Sequence, residues 1–125
     1  MKQIFDIRTD KQTPIIQKRI KKGKSGFRTN WGLYGTNEWF YNLQNEGLIL
    51  VLSGTLTRLF MSGHNDFPEF EINTGVKRFQ FERHGNDDEY KIGKTLKVHA
   101  IKNKYIRPTS GLEELLVPII IEIEN

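Results

Sequence analysis

Residues 69–81, EFEINTGVKRFQF, decide the fold class, because apolar and polar side chains alternate on both sides of a turn signal. Such alternation is typical of strands with one buried face. A two-residue turn at Thr74–Gly75 predicts a β-hairpin in which Glu71 lies opposite Arg78. The predicted apolar face consists of Phe70, Ile72, Phe79 and Phe81, and the polar face of Glu69, Glu71, Arg78 and Gln80.

Strand patterns extend on both sides of this hairpin. Leu48 to Leu52 is apolar at every position, which predicts a central strand buried on both faces. The pattern resumes over Thr55 to Met61, and the intervening Gly54 predicts a bulge or sharp bend. Within Thr95 to Arg107 the apolar phase changes after Ala100, which is a second bend signal.

Two further strands are predicted near the ends of the chain. Ile4 to Ile7 forms a short strand, and Val117 to Glu124 alternates with its isoleucines inward. Pro118 lacks an amide proton, which favours an edge position for the last strand. A free edge could pair with a second copy, so a homo-oligomer through this C-terminal strand edge is possible on this reading.

Two segments carry helix signals. Thr13 as the cap and Pro14 at the first helical position suit the start of a helix that ends before a loop at Lys22 to Gly26, although Ile15 to Lys21 also alternates like a strand. Thr36 to Glu46 is the clearer helix, with Trp39 and Leu43 on one face and a glycine after its end.

These patterns predict a mainly β chain of six to eight strands with one or two short helices. The bend signals favour a small β-barrel of bent strands, OB-like or a split barrel. A two-sheet β-sandwich is the alternative. A chain of 125 residues is expected to form a single β-rich domain spanning residues 1–125.

Composition excludes several classes of protein. The chain has no cysteine, so disulfides, thiolate catalysis and cysteine-bound metals are excluded. Its apolar runs are too short to cross a bilayer, and residues 1–6 do not resemble a secretory signal. A cytoplasmic location without membrane association is the expectation.

Charge is unevenly spread along the chain. The net charge is +4, but residues 1–35 carry +7, residues 36–90 carry −5 and residues 91–125 carry +2. Two basic stretches contain no acid: the first runs from Lys18 to Arg28 and the second from Lys91 to Arg107, including Lys94. If they meet in the fold, they would form one positive face for nucleic acid or another polyanion. The residues predicted for this basic face are Lys18, Arg19, Lys21, Lys22, Lys24, Arg28, Lys97, Lys102, Lys104 and Arg107.

Aromatic residues lie within or beside these basic stretches. In small barrels that bind single strands, exposed rings stack on bases while lysines follow the phosphates. The candidates for stacking, or for lining a pocket, are Trp31, Tyr34, Trp39, Tyr41 and Tyr105.

Motifs for catalysis or metal binding are weak. His64 and His84 lie in segments rich in Gly, Asn and Asp, which tight turns favour independently of any metal. No serine lies in a nucleophile elbow, and the segment from Lys22 to Gly26 lacks the upstream glycine of a phosphate loop. No catalytic residue, metal site or cofactor is predicted.

The segment from Trp31 to Leu43, followed by the strand from Leu48 to Leu52, resembles part of the deazaflavin-dependent nitroreductases. The likeness lies in Trp-Gly, then Trp-Phe-x-Asn-Leu, and extends loosely to the Lys-Ser-Gly at residues 24–26. That family has a split β-barrel, so the resemblance implies a flavin-type cofactor and an oxidoreductase function. The strands from Phe67 to Tyr105 have no counterpart in it.

The sequence therefore leaves three hypotheses. The first is a binding module for single-stranded nucleic acid or another polyanion, favoured by the charge segregation. The second is a split-barrel oxidoreductase with a flavin-type cofactor. The third is a structural or assembly module without a small ligand.

Overall fold

A computed structural model describes residues 1–22, 31–61, 67–105 and 115–125. The mainly β class is confirmed, with six strands and two α-helices among these residues. Short 3-10 turns lie at Asp87–Glu89 and Asn103–Tyr105. In chain order the elements are β1 (Lys2–Asp6), α1 (Thr13–Lys21), α2 (Asn37–Asn45), β2 (Leu50–Met61), β3 (Pro68–Asn73), β4 (Arg78–Glu82), β5 (Thr95–Lys102) and β6 (Leu116–Ile123).

All six strands belong to one antiparallel sheet in the order β1-β6-β5-β2-β3-β4. The two-sheet alternative is therefore wrong. In the described part of the chain β1 and β4 are the edge strands and form no ladder with each other. An OB-fold is a five-stranded Greek-key barrel, so the OB-like assignment is also wrong.

Side chains connect the two ends of this curled sheet. The His84 ring, just after β4, stacks on Phe5 of β1 with 4.5 Å between ring centroids. Within the segment after β4, the Tyr90 hydroxyl holds the His84 backbone in place: it donates to the His84 carbonyl oxygen at 2.6 Å and accepts from the His84 amide at 3.1 Å. Gly85 has a φ of 80°, and a Cβ there would lie 2.1 Å from the Ile4 carbonyl oxygen. We call Ile4, Phe5, His84, Gly85 and Tyr90 the seam.

The core face of the sheet follows the predicted alternation on most strands. On β5, Leu96, Val98 and Ala100 are fully buried, while the residues between them are half-buried. The start of β2 differs from the prediction, because Leu50 and Val51 are 45% and 53% exposed. The prediction that Leu48 to Leu52 forms a strand buried on both faces is therefore wrong.

The β3–β4 hairpin has a longer turn than predicted. Asn73 pairs with Arg78, and the four residues from Thr74 to Lys77 form the turn. The Thr74 amide donates to the Lys77 carbonyl oxygen at 3.0 Å. Glu71 consequently lies opposite Gln80, so its predicted pairing with Arg78 is wrong. The partner of each residue on β3 is shifted by two residues along β4 relative to the prediction. Because side chains alternate with a period of two, each one keeps its predicted face.

The bend in β2 lies at Thr57 rather than at Gly54. The register with β3 shifts between Leu56 and Arg58, which marks the bulge. At Gly54 a Cβ would lie 2.7 Å from the Asn73 carbonyl oxygen, so close backbone contact explains this glycine.

The predicted edge position of the last strand is wrong. β6 pairs with β5 on one side and with β1 on the other, so it offers no free edge to a second copy. Pro118 pairs with Ala100 of β5, and the β5–β6 register shifts between His99 and Ala100. This irregularity in the ladder accommodates a residue without an amide proton. That irregularity agrees with the bend predicted near Ala100.

Both helices were predicted. Thr36 caps α2 by accepting from the Trp39 amide at 3.2 Å, and Trp39 and Leu43 are fully buried. α1 begins at Thr13, but Gln12 rather than Thr13 is its N-cap residue. No helix in the described ranges has the length and apolar character needed to cross a membrane.

Candidate functional site

Helix α1 is amphipathic, and its inner side is fixed to the rest of the fold. Ile16 and Ile20, one turn apart, pack against the core. The buried Thr13 hydroxyl donates to the Ile7 carbonyl oxygen at 2.5 Å. Gln17 Nε2 donates to the Tyr34 carbonyl oxygen at 2.8 Å. These contacts determine which side chains α1 presents to solvent.

The outer side of α1 is basic with one large apolar residue. Ile15, Lys18, Arg19 and Lys22 are spaced three, four and seven residues from the first, so they lie along one helix face. All four are exposed, and Ile15 is 48% exposed. We call these four residues the α1 ridge.

The cations of α1 have no acidic neighbour on their own helix, since residues 11–22 contain no Asp or Glu. Among the described residues no ion pair involves Lys18, Arg19, Lys21 or Lys22. Lys18 and Lys22 are four residues apart, and like charges at this spacing repel. The negative end of the helix dipole offsets part of this repulsion.

The second predicted basic stretch is placed differently. Lys97 on β5 lies opposite Glu122 on β6, and His99 Nε2 lies 2.8 Å from Glu122 Oε1. Lys94 Nζ donates to the Glu124 carbonyl oxygen at 3.4 Å. Strand β6 therefore places one acid, Glu122, beside a stretch that contains no Asp or Glu in the sequence.

The remaining predicted basic residues do not complete a common face in the described structure. Lys102 is half-buried at the end of β5, opposite Leu116. Lys24, Arg28, Arg107 and the side chain of Lys104 lie outside the described residues. The predicted basic residues that the structure does bring together are those of α1 and its C-cap.

The predicted aromatic residues divide into core and surface. Tyr34 and Trp39 are buried and pack on each other with centroids 5.4 Å apart, so stacking on a ligand is wrong for both. Tyr41 on α2 is 64% exposed. Trp31 and Tyr105 meet edge to face with centroids 5.0 Å apart, and Trp31 Nε1 donates to Glu46 Oε2.

A polar network lies on the outer face of β3. Glu71 accepts from Thr57 Oγ1 at 3.0 Å and from Gln80 Nε2 at 3.3 Å. These two hydrogen bonds, with the charges of Arg78 and Arg58, hold the pKa of Glu71 below its ordinary value. Sequence reasoning missed this network, because it paired Glu71 with Arg78 and could not show that Thr57, fourteen residues away, lies beside Glu71.

Small polar residues line a shallow, open depression between the start of the β3–β4 turn and the middle of β2. Its lining consists of Ser53, Gly54, Thr55, Thr57, Asn73, Thr74, Gly75 and Thr95. Hydroxyl and amide groups of this kind can donate and accept hydrogen bonds but supply no acid or base near neutral pH.

The sequence did contain the signal for the α1 ridge, in the spacing of residues 15, 18, 19 and 22. The sequence predicts the basic stretch but does not distinguish Ile15 from Ile16 and Ile20, because strand and helix are nearly equal alternatives there. Only the helical phase shows that Ile15 shares a face with the cations.

Comparison with known proteins gives two results. No curated protein matches the chain. The sequence model of the family described as "Immunity protein RhsI2" matches residues 7–110, which include both helices and strands β2 to β5.

This match corrects the functional predictions made from sequence. The partner of an immunity protein is a toxin protein, so the predicted nucleic-acid or polyanion ligand is wrong. The alternative of a flavin-type oxidoreductase is wrong for the same reason, and the module without a small ligand agrees better with the match. Because the match covers most of its length, the chain belongs to the RhsI2 immunity protein family.

Proposed function

We propose that this chain neutralises an Rhs toxin by binding it in a stable protein complex. The family match over residues 7–110 carries the proposal. That range includes α1, α2 and four of the six strands, so the toxin-binding surface is expected on these elements.

Features of the helical surface support a protein partner. Ile15 on α1 and Tyr41 on α2 are 48% and 64% exposed, respectively. Protein interfaces place apolar and aromatic side chains at their centre, within a rim of polar and charged groups. The α1 ridge has this composition on a small scale.

We further propose that the complex forms in the cytoplasm. The chain contains no cysteine, so its folding requires no oxidising compartment. Cell fractionation of the untagged protein tests this proposal, and recovery from another compartment contradicts it.

Co-expression tests the proposed neutralisation. Each Rhs toxin of the source organism is expressed with and without this chain, and survival of the host is measured. We expect this chain to protect against one toxin, and the purified pair to elute as one complex in size-exclusion chromatography. A destabilised variant with Trp39→Asp, which introduces a charge into the core, serves as the unfolded control.

Two outcomes would overturn the proposal. One is the absence of protection against every Rhs toxin of that organism by a folded protein. The other is protection without a complex, measured by titration calorimetry with the purified toxin, since neutralisation by binding requires one.

A further inference from the structure

We propose that the α1 ridge is a contact surface for the toxin, and that the toxin presents an acidic surface with an apolar centre to it. This inference rests on the proposed function and specifies the chemistry of the partner. The occupant is a protein surface, and nucleic acid is treated below as a contrary outcome of the test.

Charge supports this choice first. Lys18, Arg19 and Lys22 project from one face, and no ion pair within the described ranges uses them. Lys18 repels Lys22, and Arg19 repels Lys22, across one helical turn. Carboxylates of an acidic partner would offset these repulsions through attraction to the three cations and would accelerate association.

Three cations elsewhere in the described structure are paired with carboxylates. Lys2 Nζ lies 2.6 Å from Glu89 Oε1, and Arg83 Nη1 lies 3.1 Å from Asp87 Oδ1. Arg8 is paired with the buried Asp6. The α1 ridge differs from these three sites, because no carboxylate of the described residues pairs with its cations.

The apolar component is the second argument. Ile15 stands one turn from Lys18 and Arg19, and nearly half of its surface remains in water. Burial of the Ile15 side chain against a partner would contribute favourable free energy to binding. The role of the lysines in keeping the protein in solution does not account for an apolar residue among them. A surface evolved only for solubility does not require isoleucine at this position.

Charge reversal tests the proposal. The double variant Lys18→Glu/Lys22→Glu is compared with Lys77→Glu/Lys91→Glu, which changes the net charge equally at exposed positions elsewhere. We expect the first pair to weaken toxin binding at least about tenfold, because two attractions become repulsions. The second pair should change the dissociation constant less than about threefold.

A second comparison tests the apolar centre. Ile15→Ser removes the exposed side chain from the ridge, and Ile92→Ser removes an isoleucine that is 60% exposed in a turn after Tyr90. We expect Ile15→Ser to raise the dissociation constant several-fold through faster dissociation. Ile92→Ser should leave it unchanged. Circular dichroism and thermal unfolding establish that all four variants are folded.

The outcomes separate this inference from the proposed function. If the wild-type chain binds a toxin and both charge variants bind equally well, the α1 ridge is not the contact and the proposed function stands. If the wild-type chain binds no Rhs toxin, both proposals fall. Binding of a single-stranded oligonucleotide that depends on Lys18 and Lys22, without such dependence for the toxin, also overturns the inference.

Discussion

At the residue scale, Asp6 shows how a charged group is accommodated near the core. Its side chain is 6% exposed and accepts from Arg8 at three atoms: the amide at 2.9 Å, Nε at 3.0 Å and Nη2 at 2.7 Å. Burial acts to raise the pKa of Asp6, but the hydrogen bonds and charge of Arg8 outweigh it. The pKa of Asp6 therefore lies below its ordinary value.

This lowered pKa predicts a pH dependence of stability. The ionised Asp6 stabilises the fold above the ordinary pKa of 3.8, and this contribution is lost as pH falls through the lower folded value. We expect Asp6→Asn to cost roughly 1–3 kcal/mol at pH 7. The difference from wild type should diminish below about pH 4 in urea unfolding experiments.

Asp88→Asn is the control for this series. Asp88 is exposed, so its substitution should leave the free energy of unfolding within about 0.5 kcal/mol at every pH. A constant difference between Asp6→Asn and wild type from pH 7 to pH 2 would contradict the role assigned to the carboxylate.

Gly85 gives a second prediction at this scale. Its φ is 80°, and a Cβ would lie 2.1 Å from the Ile4 carbonyl oxygen. We expect Gly85→Ala to cost roughly 2–4 kcal/mol, from backbone strain together with this overlap. Gly93→Ala, with a φ of 94° and nothing within 4 Å of its Cβ, should cost roughly 1–2 kcal/mol. Equal costs in urea unfolding would show that close packing on β1 is unimportant.

At the scale of elements, α2 was predicted well because its signals are local. The Thr36 cap, the burial of Trp39 and Leu43 and the end near Gly47 all depend on residues within one short segment. Local hydrogen bonds and helical spacing are visible in a single sequence.

The cap of α2 is open to a direct test. Thr36→Ala removes the acceptor for the Trp39 amide and should destabilise the protein by about 1 kcal/mol. Thr36→Ser keeps a hydroxyl and should recover most of this loss. If thermal unfolding shows Thr36→Ala and Thr36→Ser to be equally destabilised, the lost interaction is packing of the methyl group instead of the cap.

Strand neighbours were predicted less well because they depend on distant parts of the chain. The apolar run at Leu50 and Val51 has the pattern of a buried strand, yet both residues are exposed. Pro118 favoured an edge, but a register shift lets β6 pair on both sides. Sequence patterns show which face of a strand is apolar, whereas tertiary contacts decide whether that face is covered.

At the scale of the whole molecule, the candidate site was only half predictable. The basic residues of α1 were identified from the sequence, but charge alone did not distinguish a protein partner from a polyanion. The acid opposite Lys97 is Glu122 of β6, which is distant in the chain. The net charge of successive sequence segments does not show contacts between oppositely charged residues that are far apart in the chain.

We propose that residues 1–125 fold as one domain, and its unfolding provides a test. Buried residues of α2, β1 and all other strands belong to one apolar cluster that includes Trp39. We expect tryptophan fluorescence and far-ultraviolet circular dichroism to give coincident urea transitions. Two separated transitions would contradict a single cooperative unit.

The seam has a further consequence for the motions of this molecule. A ring stack and close backbone packing fasten β1 to the residues after β4, and in the described structure no ladder of amide hydrogen bonds joins β1 to β4. Parting these two ends breaks no strand pairing, so it requires less free energy than global unfolding. The His84 amide should accordingly exchange with deuterium before the Val98 amide does. The protein would then open locally at the seam while the ladders of its sheet stay intact.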